Sequence, residues 1–190
     1  HHRWRTRRAT SLALNLLCIG DIHLGKDPGS LSQAVRDSYR SDLAPIGPER
    51  AWEDAIDVAI DRSVDAVLLL GDVVHEEQDQ WRVAGIVERG VRRLEAEGIR
   101  VVTVVGNHDA TALPRLARTM PALEIIGAEG RWEHVPIRGR HDSGLGANLI
   151  GWSFPASSFS GDPLAGIDSV IDLVDPALPT IGLLHCDLDQ

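Results

Sequence analysis

The sequence VVTVVGNHD, residues 101–109, joins a short apolar run to a glycine and then to side chains that bind metals or protons. Two other segments follow the same order: LLCIGDIH at residues 16–23 and VLLLGDVVH at residues 67–75. A fourth run, residues 181–184, ends directly on His185. Binding sites in α/β sheets lie outside the carboxyl ends of the strands. The repeated pattern therefore predicts strands whose ends build one shared site.

Strand and helix patterns alternate along the chain. Apolar residues at helical spacing follow Pro48 and recur from Val83 to Leu94, while glycines and prolines make residues 24–48 a predicted long loop. Strand–helix alternation followed by short strands predicts an α/β fold with two stacked sheets flanked by helices. The predicted strands are 14–19, 65–70, 100–105, 123–126, 132–137, 148–152 and 180–184, and two further predicted helices are 111–119 and 165–174.

The composition is that of an ordinary globular domain. Of the 190 residues, 43% are hydrophobic and 25% are charged, and this length suits one domain with a sizeable core. The formal net charge of −9 argues against a global basic field for nucleic acid or an anionic membrane. Because no apolar stretch is long enough to span a bilayer, we expect no membrane partner.

The arginines near the N-terminus and the two cysteines bear on chain order and on cellular location. Residues 1–13 are predicted to be a basic, disordered tail, with four arginines and no acid among the first ten residues, ahead of a domain at 14–190. Cys18 and Cys186 lie in or beside apolar runs, which predicts buried free thiols rather than a secreted disulfide framework. We therefore expect a cytoplasmic protein.

The side chains at the strand ends suit a transition metal. Asp21 and Asp72 are anionic oxygen donors, His23 and His185 are nitrogen donors, and Asn107 offers a neutral oxygen. This mixture favours Mn, Fe or Zn over calcium, which prefers oxygen ligands alone. One carboxylate is able to bridge two metals about 3.5–4 Å apart, the spacing that holds a phosphoryl centre. The glycines are expected to supply the backbone angles that turn each chain sharply off its strand.

The combination is more specific than its parts. Asp-x-His is common, and Gly-Asp is ordinary turn chemistry. Gly-Asn-His-Asp at residues 106–109 is different, since its chance occurrence in a chain of this length is on the order of one in a thousand at average composition. Three such motifs in order indicate a site rather than surface accidents.

These motifs resemble the signature of the calcineurin-like metallophosphoesterases. The resemblance rests on Asp21-x-His23, Gly71-Asp72 and residues 106–109, and it covers the chain from Leu14. It implies a four-layer α/β/β/α fold with two mixed sheets. Within that superfamily, residues 71–75 and the His-Leu-Gly after Ile22 resemble the nuclease subunit of the bacterial SbcCD repair complex and related DNA repair exonucleases.

The resemblance also implies metal ligands. Two divalent ions, Mn foremost with Fe or Zn as alternatives, would occupy the site. Asp21 and His23 would hold the first ion, Asp72 would bridge both, and Asn107 and His185 would hold the second.

Three further residues receive catalytic roles from the same resemblance. His108 would stabilise the transition state or protonate the leaving oxygen, and Asp109 would tune its imidazole. His75 matches a histidine that helps to position the phosphate at a DNA end in some family members.

The family pattern differs from this sequence at one point. It continues to a Gly-His-x-His motif that completes both metal sites, and no such motif follows His185. The domain at 14–190 is therefore interpreted as truncated before that motif, with weak binding of the second metal and little activity expected. The alternative is that Asp187 or Asp189 takes the place of the missing histidine ligands.

Three functions are in competition. The first is a metal-dependent phosphodiesterase of the DNA repair exonuclease type, which uses a metal-activated water, with DNA as substrate and an SbcC-type ATPase as a partner. The second keeps the chemistry but acts on a small nucleotide or other phosphoester, which the net charge of −9 favours. The third is a catalytically incomplete scaffold that binds a partner. A homodimer is left open.

The tryptophans have two interpretations. Trp52 lies on an apolar helix face and is predicted to be core. Trp81, Trp132 and Trp152 have the chemistry to stack on bases, but they are scattered along the chain, and packing is the simpler prediction.

Overall fold

The computed structural model of the chain describes residues 13–26, 32–38, 46–76, 80–141 and 144–186. The predicted basic tail and the alternative ligands Asp187 and Asp189 fall outside these ranges, apart from Ala13. Two β-sheets with flanking helices form the body of the fold. No helix in the described ranges has the length and apolar character needed to cross a membrane.

The first sheet carries the strand ends singled out in the sequence. It contains β1 (Leu16–Ile19), β2 (Ala66–Leu70), β3 (Arg100–Val104) and β4 (Leu123–Ile125), in that order. All its pairings are parallel, with Ile19, Leu69, Thr103 and Ile125 in one row across the sheet. The parallel register brings the carboxyl ends of the four strands to one edge. The predicted α/β architecture of two sheets flanked by helices is confirmed, and the described strands of this first sheet are all parallel rather than mixed.

The second sheet is mixed and has three strands. β5 (Glu133–Arg138) pairs antiparallel with β6 (Gly146–Trp152), and β6 pairs parallel with β7 (Thr180–Leu184). The bounds of β7 match the prediction, and its last residue, Leu184, directly precedes His185.

The helices follow the predicted periodicity, with one addition. α2 (Pro48–Asp61) begins at the predicted proline, and α3 (Gln80–Ala96) ends before Gly98. A short α1 (Gln33–Ser38) lies inside the segment predicted as a loop. Among the described residues of the second half, the helices are short: α4 (Ala112–Ala117), a 3₁₀ turn (Ala128–Gly130) and α5 (Asp168–Ile171).

Three apolar layers hold the elements together. Along β2, Val67 and Leu69 face the helices with Trp52, while Leu68 faces the second sheet with Leu149. This alternation follows from the two-residue period of a strand that is covered on both faces. Beyond the second sheet, a third cluster joins α5 to β6. Its buried members are Trp132, Ile150, Trp152 and Val170.

Burial corrects two predictions about single residues. Cys18 and Cys186 are free, as predicted, but both are exposed rather than buried, because β1 is an edge strand and Cys186 follows the end of β7. Trp52, Trp132 and Trp152 are packed in the core, whereas Trp81 is 81% exposed at the start of α3, so the packing prediction is wrong there.

Candidate metal centre

Beyond the strand ends, the chains after β1 and β2 stay paired. The backbone N–H groups of His23 and Leu24 donate to the carbonyls of Asp72 (2.8 Å) and Val73 (2.8 Å), and the N–H of His75 donates back to Leu24 (2.9 Å). This pairing fixes the two ligand-bearing segments in register. The His23 and His75 side chains therefore lie side by side above the sheet edge.

The sharp turns off the strands use unusual backbone angles at the ligands themselves. Asp21 (φ 52°), His23 (φ 50°) and Asp72 (φ 52°) are all left-handed, a conformation that non-glycine residues rarely adopt. Of the three motif glycines, only Gly71 (φ 87°) has a positive φ. The expectation that all three glycines supply the turn is wrong, because the strain falls on the ligands. Strain of this kind clusters at functional sites.

Gly106 is required for space rather than for conformation. A Cβ atom at this position would lie 2.0 Å from Oδ1 and 2.6 Å from the backbone nitrogen of Asp72. The absent side chain lets the end of β3 approach the Asp72 carboxylate. The next two residues, Asn107 and His108, are then delivered to the same place, and Asn107 is half-buried there.

Asp72 is the centre of the cluster. Its side chain is 4% exposed, and one oxygen, Oδ2, lies 3.5 Å from Nε2 of His23 and 3.4 Å from Nε2 of His185. The other oxygen accepts a hydrogen bond from the backbone N–H of His108 (3.1 Å). Burial by itself would raise the pKa of Asp72, but the hydrogen bonds and charges of His185 and His108 outweigh it and lower the pKa. The carboxylate is therefore ionised at neutral pH.

The pKa values of the two histidines beside Asp72 are shifted in opposite directions. The hydrogen bond to Asp72 raises the pKa of His185 to about 9, against the effect of burial. Burial lowers the pKa of His23, although Asp72 works in the opposite direction. Nδ1 of His185 donates to the carbonyl of Leu70 (3.1 Å), so its Nε2 is the atom offered to Asp72 or to a metal.

The donors fit a divalent ion. Ligand atoms of Asp21, His23 and Asp72 lie within 4.8 Å of one another, and so do those of His23, His75 and His108. The first group pairs two carboxylates with an imidazole, the set that transition metals such as Mn, Fe and Zn accept. Asp72 Oδ2, within 3.5 Å of two histidine nitrogens, is the oxygen that two ions would share if both were held here. The structure thus brings together the predicted ligands Asp21, His23, Asp72 and His185.

A family model described as calcineurin-like phosphoesterase matches residues 14–185, nearly the whole chain. The chain belongs to the calcineurin-like phosphoesterase family. Among curated proteins no sequence matches significantly.

Two solved structures are similar to this chain. The protein TT1561 of Thermus thermophilus has a TM-score of 0.50 at 14% identity, over 91% of this chain and 68% of that one. A dimetal phosphatase from Danio rerio has a TM-score of 0.44 at 12% identity, over 80% of this chain and 49% of that one. At such identities, the likeness to TT1561 shows the fold alone.

The hydrogen-bond partner of His108 determines which of its ring nitrogens carries a proton. Its Nδ1 lies 3.0 Å from the carbonyl oxygen of His75, which is only an acceptor, so Nδ1 carries a hydrogen. Its Nε2 has no hydrogen-bond partner among the described residues. The His75 and His108 rings stack with centroids 5.4 Å apart.

Asp109 has a different task from the predicted one. It is fully buried, and its oxygens accept hydrogen bonds from the backbone N–H groups of Gly106 (2.8 Å), Val73 (2.7 Å) and Val74 (3.3 Å). Burial raises its pKa to about 6, against these three donors. Because its oxygens are occupied in this way, no bond to the His108 imidazole is found in the described part of the chain. Asp109 braces the two ligand loops instead.

Sequence reasoning missed two residues that support the site. The buried Ser153 hydroxyl accepts a hydrogen bond from the backbone N–H of Val105 (2.9 Å) and donates one to the carbonyl of Ile126 (2.6 Å). These two bonds connect the second sheet to the end of β3. The Phe154 ring lies 6.1 Å from that of His185. Neither residue belongs to a motif, and their positions depend on how the two sheets pack.

Proposed function

We propose that the chain is a metal-dependent hydrolase of phosphodiesters with a dinuclear centre. Asp21, His23 and Asp72 would hold the first ion, and Asp72, Asn107 and His185 the second. The single observation that supports this most is Asp72 Oδ2, which lies 3.5 Å from one histidine nitrogen and 3.4 Å from another. Two bound ions would polarise the phosphoryl group and activate a water.

The other residues of the site would handle the proton and the geometry. His108, held at Nδ1 by the His75 carbonyl, would act in its doubly protonated form: it would give the Nε2 proton to the leaving oxygen and keep the Nδ1 proton. His75, stacked on that ring, would contact the phosphate. Asp109 would keep the loops that carry Asp72 and His108 in place through its three backbone hydrogen bonds.

For the metal and the substrate we propose Mn and a DNA strand. The mixture of carboxylate, amide and imidazole donors supports Mn, with Fe and Zn as alternatives. The sequence at 71–75, with a histidine three residues after Asp72, supports the nuclease branch. An SbcC-type ATPase would supply the basic contacts to DNA that a chain of net charge −9 does not supply overall. Homodimer formation and a cytoplasmic location stay predictions.

A small phosphodiester is the second candidate substrate. The net charge of −9 favours it, because a DNA strand approaching the chain would meet an overall negative field.

The test is hydrolysis of bis-p-nitrophenyl phosphate and of end-labelled single- and double-stranded DNA, with Mn and with excess chelator. We expect slow, chelator-sensitive hydrolysis of the small diester. Asp72→Asn should abolish it, and His141→Gln, at an exposed histidine outside the site, should leave it unchanged. Cleavage of DNA supports the nuclease proposal, and its absence beside diester turnover supports the second candidate. Turnover that survives both chelator and Asp72→Asn would overturn the proposed function.

A further inference from the structure

The histidines of the site differ in what holds their second ring nitrogen. Nδ1 of His185 faces the Leu70 carbonyl at 3.1 Å, and Nδ1 of His108 faces the His75 carbonyl at 3.0 Å. A carbonyl only accepts, so each of these rings carries a proton on Nδ1. His23 has no such carbonyl partner in the described ranges. Its Nδ1 lies 3.3 Å from Nδ1 of His75, another imidazole nitrogen that either donates or accepts.

The pairing of these two nitrogens is built into the backbone. The chains that carry them are joined by hydrogen bonds from His23 N–H to Asp72 (2.8 Å), from Leu24 N–H to Val73 (2.8 Å) and from His75 N–H to Leu24 (2.9 Å). Both rings are mostly covered, with side-chain exposures of 18% for His23 and 22% for His75. The contact is therefore between two fixed and largely enclosed rings.

We infer that His75 is a positioning residue that sets the tautomer of His23. A hydrogen bond between two neutral imidazoles needs one proton on one of the two facing nitrogens. Nε2 of His23 faces Asp72 Oδ2 at 3.5 Å and Asp21 Oδ1 at 3.9 Å, so it is the atom that a metal would take. A ligating Nε2 has no proton, which puts the proton on Nδ1 of His23 and makes Nδ1 of His75 the acceptor.

The same logic fixes the proton of His75. Once its Nδ1 accepts, the neutral His75 ring carries its proton on Nε2, which lies 3.9 Å from a Glu76 carboxylate oxygen. Metal binding at His23 would thus turn His75 into an Nε2 donor. Without metal the opposite arrangement is available, in which His75 donates from Nδ1 and His23 donates from Nε2 toward Asp72. This inference rests on the proposed metal centre and adds a role for His75 that does not require DNA.

The test uses Zn²⁺ alone, because it is diamagnetic, with protein labelled with ¹⁵N in histidine. Two-bond ¹H–¹⁵N correlation spectra report which ring nitrogen of each histidine carries a proton. In the zinc-bound protein we expect the proton on Nδ1 of His23 and on Nε2 of His75. The affinity for zinc is measured by calorimetry on His75→Ala, on His75→Asn and on the control His141→Ala.

Removing a hydrogen-bond partner of a metal-ligating histidine typically weakens binding by about ten- to a hundredfold. We expect that loss in His75→Ala. In His75→Asn the amide oxygen replaces Nδ1 as an acceptor, so the zinc affinity should stay within about threefold of wild type. His141→Ala should show no change. Zinc binding with the His75 proton on Nδ1, or equal affinity in His75→Ala and wild type, would overturn this inference alone. Zinc that leaves the His23 and His185 signals unchanged would overturn the metal centre itself.

Discussion

Replacement of Gly106 by alanine should disable the site while the fold survives. The new Cβ would lie 2.0 Å from Asp72 Oδ1, 2.6 Å from the Asp72 backbone nitrogen and 2.9 Å from its Cγ. Ordinary van der Waals contact begins near 3.4 Å, so the carboxylate oxygen has to retreat by about 1.4 Å. Because the backbone nitrogen is also too close, a change of side-chain rotamer alone does not relieve the clash.

That retreat breaks the geometry on which the site depends. Asp72 is held on one side by the His108 N–H at 3.1 Å and on the other by His185 at 3.4 Å. A displacement of about 1 Å in a reacting geometry costs about a hundredfold in rate. Forcing a methyl group into a packed interior costs about 1–3 kcal/mol of stability, or about 2–12 °C in melting temperature for a chain of this size.

The assay compares Gly106→Ala with Gly182→Ala, a matched exchange on β7 where a Cβ meets no atom within 4 Å. Thermal unfolding, metal binding by calorimetry and hydrolysis of bis-p-nitrophenyl phosphate are measured on both. We expect Gly106→Ala to fold and to lose about a hundredfold in metal-dependent turnover, with Gly182→Ala like wild type. Equal metal affinity and turnover in the two variants would refute the packing argument.

Three other variants test separate parts of the structure. Asp109→Ala leaves three buried N–H groups without their acceptor and should lower the free energy of unfolding by about 3 kcal/mol or more. The change is measured by urea denaturation, with the exposed Asp61→Ala as control. A loss below about 1 kcal/mol would contradict the bracing role. Leu149→Ala opens a cavity between the sheets and should cost about 2–5 kcal/mol, and a near-neutral effect would mean that the sheets do not stack through it. Gly71→Ala places a Cβ 2.8 Å from His185 at a φ of 87°, so calorimetry should show weaker metal binding than in Gly20→Ala, where the nearest atom is at 3.4 Å.

The sequence predicted the strands and the long helices well, for a physical reason. Strands covered on both faces are short continuous apolar runs, and β2 and β3 were recognisable as such. The helical period of Trp52 and its neighbours identified α2. The short α1 was missed because a six-residue helix has too few turns to show a period.

The identity of the predicted ligands followed from residue type, but their geometry did not. Asp21, His23, Asp72 and His185 come together because parallel register aligns the strand ends. The role of Gly106 depends on a distance across the sheet to Asp72, which no local pattern contains. The sequence predicts His108, the neighbour of Asp109 in the chain, as its partner, whereas its three partners are backbone groups, two of them on another loop.

Exposure of single residues was the weakest part of the prediction. Cys18 lies in an apolar strand, but that strand is at the sheet edge, where one side lacks a neighbour. Trp81 lies on the open side of α3, and its residue type alone suggested packing. Both errors arise because apolar character indicates a tendency to be buried and does not say which neighbours are present.

The central claim is that the strand ends form a metal centre around Asp72. Its most direct test is a crystal structure of the protein soaked in Mn²⁺, with diffraction data collected for anomalous scattering. The account predicts an anomalous peak within coordination distance of Asp72 Oδ2 and of Nε2 of His23 or His185, and no such peak in Asp72→Asn. Manganese bound only elsewhere on the protein, with these side chains unliganded, would contradict it.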